Sequence, residues 1–169
     1  LKGQVYERVP LEDGGNVQSG ERVEVVLTLE AKNDLEYLLF EDLKPAGLEA
    51  VQLRSGEPFF ARELKSGEVE HRFGPSDAGA SQAIADPLDV ARYTNRQRGI
   101  HQELRDRKVA LFLDKLPQGV WEVRYDLRAE IPGRFHALPT LGGAMYVPEI
   151  RCNGSETRLT VTERGVQGD

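Results

Sequence analysis

Trp121-Glu122-Val123-Arg124-Tyr125-Asp126-Leu127-Arg128-Ala129-Glu130 alternates an apolar residue with a charged one at every step. Successive side chains of a β-strand point to opposite faces, so this spacing predicts a long strand with one face on a core and the other in water. Strands wetted on one face belong to antiparallel sheets, because parallel sheets are covered on both. Trp121 falls on the inward parity and is expected to pack in the core. The charged residues at 122, 124, 126, 128 and 130 are expected on the solvent face, paired across to a neighbouring strand rather than gathered for catalysis.

The same period extends outward in both directions. Val23, Val25, Leu27, Leu29 and Ala31 share one parity, with Glu24, Thr28 and Glu30 on the other. Arg158 to Thr162, with Leu159 and Val161 inward, reads as the last strand, and Phe135 to Leu138 as a further extended stretch after Pro132-Gly133. Asp13-Gly14-Gly15-Asn16 and Gln18-Ser19-Gly20 break the chain before the first long strand. Lys44-Pro45-Ala46-Gly47 and Leu116-Pro117-Gln118-Gly119 combine the fixed φ of proline with the positive φ open to glycine. About seven core strands result, the number of an immunoglobulin/fibronectin-III-like antiparallel β-sandwich. Residues 56–104 interrupt the pattern as a decorated excursion. Within it Phe59-Phe60 and Val69 to Phe73 suggest a hairpin around Lys65-Ser66-Gly67. Residues 74–85 read as loop, and Asp86-Pro87-Leu88-Asp89 as the start of a short helical turn running to Tyr93. Residues 1–169 read as one domain. The start at Leu1, without an initiator methionine, suggests a piece of a longer multidomain protein.

The chain has 169 residues, 39% hydrophobic and 30% charged, with a formal net charge of -6. No run approaches the roughly 20 apolar residues of a membrane span, so no membrane contact is expected of this domain. The acidic balance argues against nucleic acid, which needs clustered Lys and Arg. The short basic run Arg92 to Arg98 reads as a solvated loop. Cys152, the single cysteine, has no partner for an internal disulfide, which leaves the compartment open.

A search for catalytic constellations returns little. There is no Gly-x-Ser-x-Gly elbow, Walker-type loop or Gly-x-Gly-x-x-Gly in the sequence. His71, His101 and His136 lie far apart without the spacing of a zinc site, and nothing beside Cys152 marks a nucleophile. Asp86 and Asp89 offer too few oxygens for calcium and are explained by helix capping. Asn153-Gly154-Ser155 fits a glycosylation acceptor but reads more simply as a turn. Neither a metal nor a cofactor is expected, and the chain reads as a binding domain rather than an enzyme.

Three segments together carry a family resemblance. They are Tyr37-Leu38-Leu39-Phe40-Glu41-Asp42-Leu43-Lys44-Pro45-Ala46-Gly47-Leu48-Glu49; Glu103 to Val109, running through Leu116-Pro117-Gln118-Gly119 to Phe135; and Ala144-Met145-Tyr146-Val147-Pro148-Glu149-Ile150-Arg151. In this order they resemble the C-terminal macroglobulin-like domain of bacterial alpha-2-macroglobulins, over nearly the whole chain and least in residues 56–100. The third segment is the most specific. The resemblance implies a non-catalytic part of a protease-trapping inhibitor of the periplasm or cell envelope. Its partners would be the other domains of the same parent chain, above all the thioester domain, and target proteases indirectly. The family's thioester sequence, Cys-Gly-Glu-Gln, does not occur here.

By the same resemblance, Met145 and Tyr146, with Pro148 and Glu149, would sit on the thioester domain and shield its reactive bond. A thioester lasts in water only where water is kept out, and a Met and a Tyr together supply adaptable and rigid apolar cover. Gly142-Gly143 before the segment and Pro148 within it are expected to give a projecting, stiffened loop. The competing placement has Met145 and Tyr146 packed into their own sandwich. A competing function is a stand-alone cell-surface adhesion or carbohydrate-binding module, which an exposed cluster of Phe59, Phe60, Phe73 and Tyr93 would favour. An enzyme built on a sandwich scaffold would need His, Cys or acids to converge in a pocket.

Overall fold

The computed structural model describes residues 8–51, 59–65 and 92–165. The alternating run that opens the sequence argument forms strand β8 (Gly119–Ala129) as far as Ala129, with Glu130 just past its end. Its inward residues Trp121, Val123, Tyr125, Leu127 and Ala129 are all buried. Each such aliphatic side chain contributes roughly 1.5–3 kcal/mol by leaving water. The Trp121 indole N–H donates to the Pro117 carbonyl at 2.8 Å, so the ring enters the core with its one polar group satisfied.

Strand β2 (Arg22–Ala31) runs antiparallel to β8 from the Arg22–Arg128 pair to the Ala31–Gly119 pair. Leu29 faces Trp121, Leu27 faces Val123 and Val25 faces Tyr125, which matches the two apolar rows. On the other face Glu24 lies directly opposite Asp126, a like-charge pair. Diagonal partners relieve it: Arg22 bonds Asp126, and Arg124 reaches Glu24 at 3.1 Å.

Twelve strands are present among the described residues, not about seven. The remainder are β1 (Gly15–Gln18), β3 (Leu35–Asp42), β4 (Leu48–Ala50), β5 (Phe59–Leu64), β6 (Tyr93–Leu104), β7 (Val109–Leu116), β9 (Gly133–Ala137), β10 (Leu141–Ala144), β11 (Arg151–Asn153) and β12 (Thr157–Thr162). A three-stranded sheet has the order β1-β12-β9, and a larger one the order β11-β10-β3-β7-β6-β5-β8-β2, with β4 also on β8. Leu159 and Val161 of β12 join Trp121, Leu38, Leu111 and Leu113 in one core, so the two sheets close on each other. The pairing of β1 with β12 is parallel, the exception among the described strands, which otherwise pair antiparallel. The surplus over seven comes partly from strands of three to six residues, too short to show a period.

The stretch expected as decoration between about 56 and 104 supplies two inner strands, β5 and β6. Phe59 and Phe60 pair with Ile100 and Gly99 of β6, while Arg62 and Glu63 pair with β8, so both edges of β5 are occupied. The expected hairpin partner, 69–73, lies outside the described residues, as do 74–85 and the capping pair Asp86 and Asp89. Arg92 is in a 3-10 turn and Tyr93 opens β6 directly after it, so the basic run from Tyr93 to Arg98 is strand rather than loop. Arg96 and Arg98 lay their guanidinium groups 5.4 and 5.8 Å from the Trp121 ring centroid. Polar residues that read as solvated loop are thus held in a strand by stacking and by ion pairs such as Arg96–Glu63.

Glu122 corrects the solvent-face expectation. It has the outward parity, yet is only 2% exposed. The Tyr93 hydroxyl donates to its carboxylate, the Arg124 Nε donates at 2.5 Å, and Arg92 lies 3.9 Å away. The covering groups come from β5 and the start of β6, distant in sequence. Gly47 departs from expectation too. It does not adopt positive φ, but a Cβ there would fall 2.3 Å from the Phe135 ring, so its role is close packing.

Candidate functional site

The segment Met145 to Ile150 joins β10 to β11 in a tight antiparallel hairpin, Leu141 facing Asn153 and Gly143 facing Arg151. On its other side β10 pairs with β3, which anchors the hairpin to the core sheet. Gly142 and Gly143 lie within β10, where neither adopts positive φ. A Cβ at Gly142 would lie 2.5 Å from the Phe40 ring and 2.7 Å from the Cys152 sulfur. One at Gly143 would lie 3.0 Å from the Ile150 carbonyl. The glycines therefore let the hairpin lie flat against its neighbours.

The loop is fixed by its own backbone. The Ala144 N–H donates to the Ile150 carbonyl at 3.1 Å, and the Ile150 N–H donates to the Val147 carbonyl at 3.0 Å. This closes a turn with Pro148 in its second position, where the locked φ of proline fits. The Arg151 Nε donates to the Pro148 carbonyl at 2.6 Å. At the other end the Met145 N–H donates to the Tyr37 carbonyl at 2.8 Å.

The side chains of this rigid loop point to solvent. Met145 is 50% exposed and Tyr146 73%, with Val147 and Ile150 beside them also exposed. Pro148 and Glu149 are exposed as well. Of the two placements weighed from sequence, projection holds and packing into the home sandwich does not. The four candidate residues stand on one loop, where Met145, Tyr146, Val147 and Ile150 are exposed together.

Sequence reasoning missed Tyr37. It belongs to a quoted segment but read there as one more strand residue. Its ring meets the Tyr146 ring edge to face, centroids 5.2 Å apart at 80°. Its φ of 54° makes it the one non-glycine residue at positive φ among those described. No pattern of hydrophobicity announces such a conformation. Asp42 was also unmarked. Buried at the end of β3, its carboxylate accepts from the Tyr125 and Thr140 hydroxyls and so ties β3, β8 and the chain entering β10 together. Burial, with the Asp42 charge beside it, pushes the Tyr125 phenol far above its ordinary range.

The other titratable candidates do not converge. His101 is exposed over the Phe112 ring, with Glu103 at 3.8 Å, and His136 bonds Glu156. Cys152 is a free thiol on β11, and burial raises its pKa, opposite to what a nucleophile needs. Among the described residues no three His, Cys, Asp or Glu side chains are placed to hold a metal. His71 lies outside them. Asn153 ends β11 and Gly154-Ser155 follow it without a turn, the Gly154 N–H donating to the Thr140 carbonyl at 2.8 Å. Phe59, Phe60 and Tyr93 are half-buried, with Arg62 over the Tyr93 ring, and form no open aromatic platform; Phe73 lies outside the described residues.

Comparison with known proteins gives a consistent answer. The family model "Bacterial Alpha-2-macroglobulin MG10 domain" matches residues 3–149. Alpha-2-macroglobulin of Xylella fastidiosa (strain Temecula1) is 27% identical over 148 residues, which are 88% of this chain and 8% of that protein. Salmonella alpha-2-macroglobulin reacted with methylamine superposes with a TM-score of 0.58 at 25% identity, covering 92% of this chain and 8% of that one. Native Escherichia coli alpha-2-macroglobulin, spanning domain MG7 to the C-terminus, gives a TM-score of 0.59 at 24% identity, covering 89% and 22%. The chain thus spans under a tenth of the length of the full relatives it matches. Its match over residues 3–149 is nonetheless most of the sequence, and the chain belongs to the bacterial alpha-2-macroglobulin MG10 domain family.

Proposed function

We propose that this chain is one non-catalytic macroglobulin-like domain, residues 1–169, of a longer protease-trapping inhibitor, and that its β10–β11 loop covers a thioester in a neighbouring domain. The observation that carries the proposal is the rigid, projecting tip on which Met145 and Tyr146 stand exposed beside Pro148 and Glu149. An apolar tip held by backbone hydrogen bonds is preorganised, so little ordering entropy is lost when a partner surface covers it. Reaction of the Salmonella relative with methylamine and activation of an Escherichia coli relative by trypsin support a parent with a protease-triggered reactive bond. Partners of the domain are then the other domains of its own chain, the thioester domain first, with proteases engaged only indirectly. The periplasm or cell envelope is the compartment we propose for it.

The shield acts by desolvation. The carbonyl of a thioester is attacked by water or an amine, and a Met thioether and a Tyr ring pressed over it deny the approach. The Tyr hydroxyl keeps one polar contact for orientation. Free-thiol release from the full-length parent, followed over time without protease, tests this. A parent carrying Met145→Ala and Tyr146→Ala together is expected to lose its thioester several times faster than the unaltered one. Equal rates would remove the shielding role from this loop.

A further inference from the structure

Tyr37 is a strained residue with one visible beneficiary. A tyrosine at φ 54° occupies the left-handed region that L-residues with bulky side chains avoid. The β3–β7 register is the same on both sides of it, Glu36 facing Lys115 and Leu38 facing Leu113, with Tyr37 itself left out of the pairing, so no inserted residue accounts for the kink. Nor does core packing, since the side chain is 48% exposed. What the conformation accompanies is contact with the loop: the Tyr37 carbonyl accepts the Met145 N–H, and the Tyr37 ring meets the Tyr146 ring edge to face. Backbone strain held without local need is a sign of function when the surroundings fix it.

We propose that Tyr37 is a positioning residue for Tyr146. Its left-handed backbone turns ring and carbonyl together toward the β10–β11 loop and holds Tyr146 in one orientation while the loop is uncovered. The proposal rests on the lid reading for its purpose, but the geometry it asserts belongs to this chain alone. An edge-to-face pair of this kind favours the ordered arrangement by between about twofold and tenfold.

Substitution by glycine separates strain from function. Tyr37→Gly accepts positive φ without a steric penalty, so the melting temperature should hold or rise while the ring contact disappears. Tyr37→Phe keeps the ring, and Tyr37→Asn, which tolerates the left-handed region, serves where the glycine variant folds poorly. In the 169-residue chain with labelled tyrosine, NMR should show the Tyr146 ring resonances of Tyr37→Gly moving to random-coil positions, with Tyr37→Phe leaving them displaced. In the full-length parent, Tyr37→Gly should quicken thiol release, by less than Tyr146→Ala does. Unmoved Tyr146 resonances in both Tyr37→Gly and Tyr37→Asn, or a fall in melting temperature for both, would overturn the positioning role. If Tyr146→Ala itself leaves thiol release unchanged, the lid reading fails while the resonance shift still decides the positioning role of Tyr37.

Discussion

Gly142→Ala is the sharpest perturbation of the hairpin that carries the exposed tip. The added Cβ would stand 2.5 and 2.6 Å from two Phe40 ring carbons and 2.7 Å from the Cys152 sulfur. Real Cβ contacts do not come that close, so something must move. Phe40 is a core residue at 6% exposure and cannot swing aside. The β10 strand must lift off β3 instead, straining the ladder that runs from Leu141–Glu41 to Ala144–Leu38. Overpacking of this kind costs about 1–3 kcal/mol. A domain of this size loses roughly 2–4 °C of melting temperature per kcal/mol, so the expected fall is about 2–12 °C. Calorimetric or circular-dichroism melting measures it. Adding Cys152→Ala removes the sulfur contact and should restore part of the loss but not all, because the Phe40 contact remains. An unchanged Tm in the single variant would refute the flat packing of the hairpin, as would full recovery in the double variant.

Gly47→Ala should also destabilise, since its Cβ would enter the Phe135 ring; a Phe135→Leu background should soften the effect in the same melting assay. Glu122→Ala strips the Arg124 guanidinium and the Tyr93 hydroxyl of a shared acceptor. Its cost should approach but not reach the ~3–5 kcal/mol of a broken buried pair, because Arg124 keeps Glu24, and denaturant titration reads it. Alkaline stability should depend on Tyr125. Its pKa is raised in the fold above the ordinary 10.0, so the folded state keeps the proton after unfolded tyrosine has released it. That contribution is complete below about pH 10 and declines as pH rises further, by up to ~1.4 kcal/mol per unit. Tyr125→Phe should be less stable at neutral pH, through loss of the bond to Asp42, and should show a shallower alkaline decline. Parallel alkaline profiles of the two proteins would contradict this.

Residues of one strand seen alone were legible in the sequence, and residues covered by another part of the chain were not. The alternation in β8 and β2 fixed their faces correctly because the period of two is a local property. Glu122 has the same local pattern as Arg128, yet one is buried and the other exposed, since β5 and Tyr93 cross only the first. The basic stretch of β6 had no apolar row, so its place inside the larger sheet left no periodic trace. For the candidate site, Met145 and Tyr146 came from the family resemblance, and their exposure on the β10–β11 loop required the structure. Tyr37 needed it even more. Positive φ at a tyrosine, and a ring contact across more than a hundred residues of chain, follow from no pattern in composition or spacing.

A photo-crosslinking amino acid placed at position 146 of the intact parent tests the central claim most directly. Irradiated before protease is added, it should join this domain to the thioester domain, and irradiated only after cleavage by protease it should form no such adduct. Adducts formed only within this domain, or an unchanged yield after cleavage, would show that the exposed tip covers nothing there.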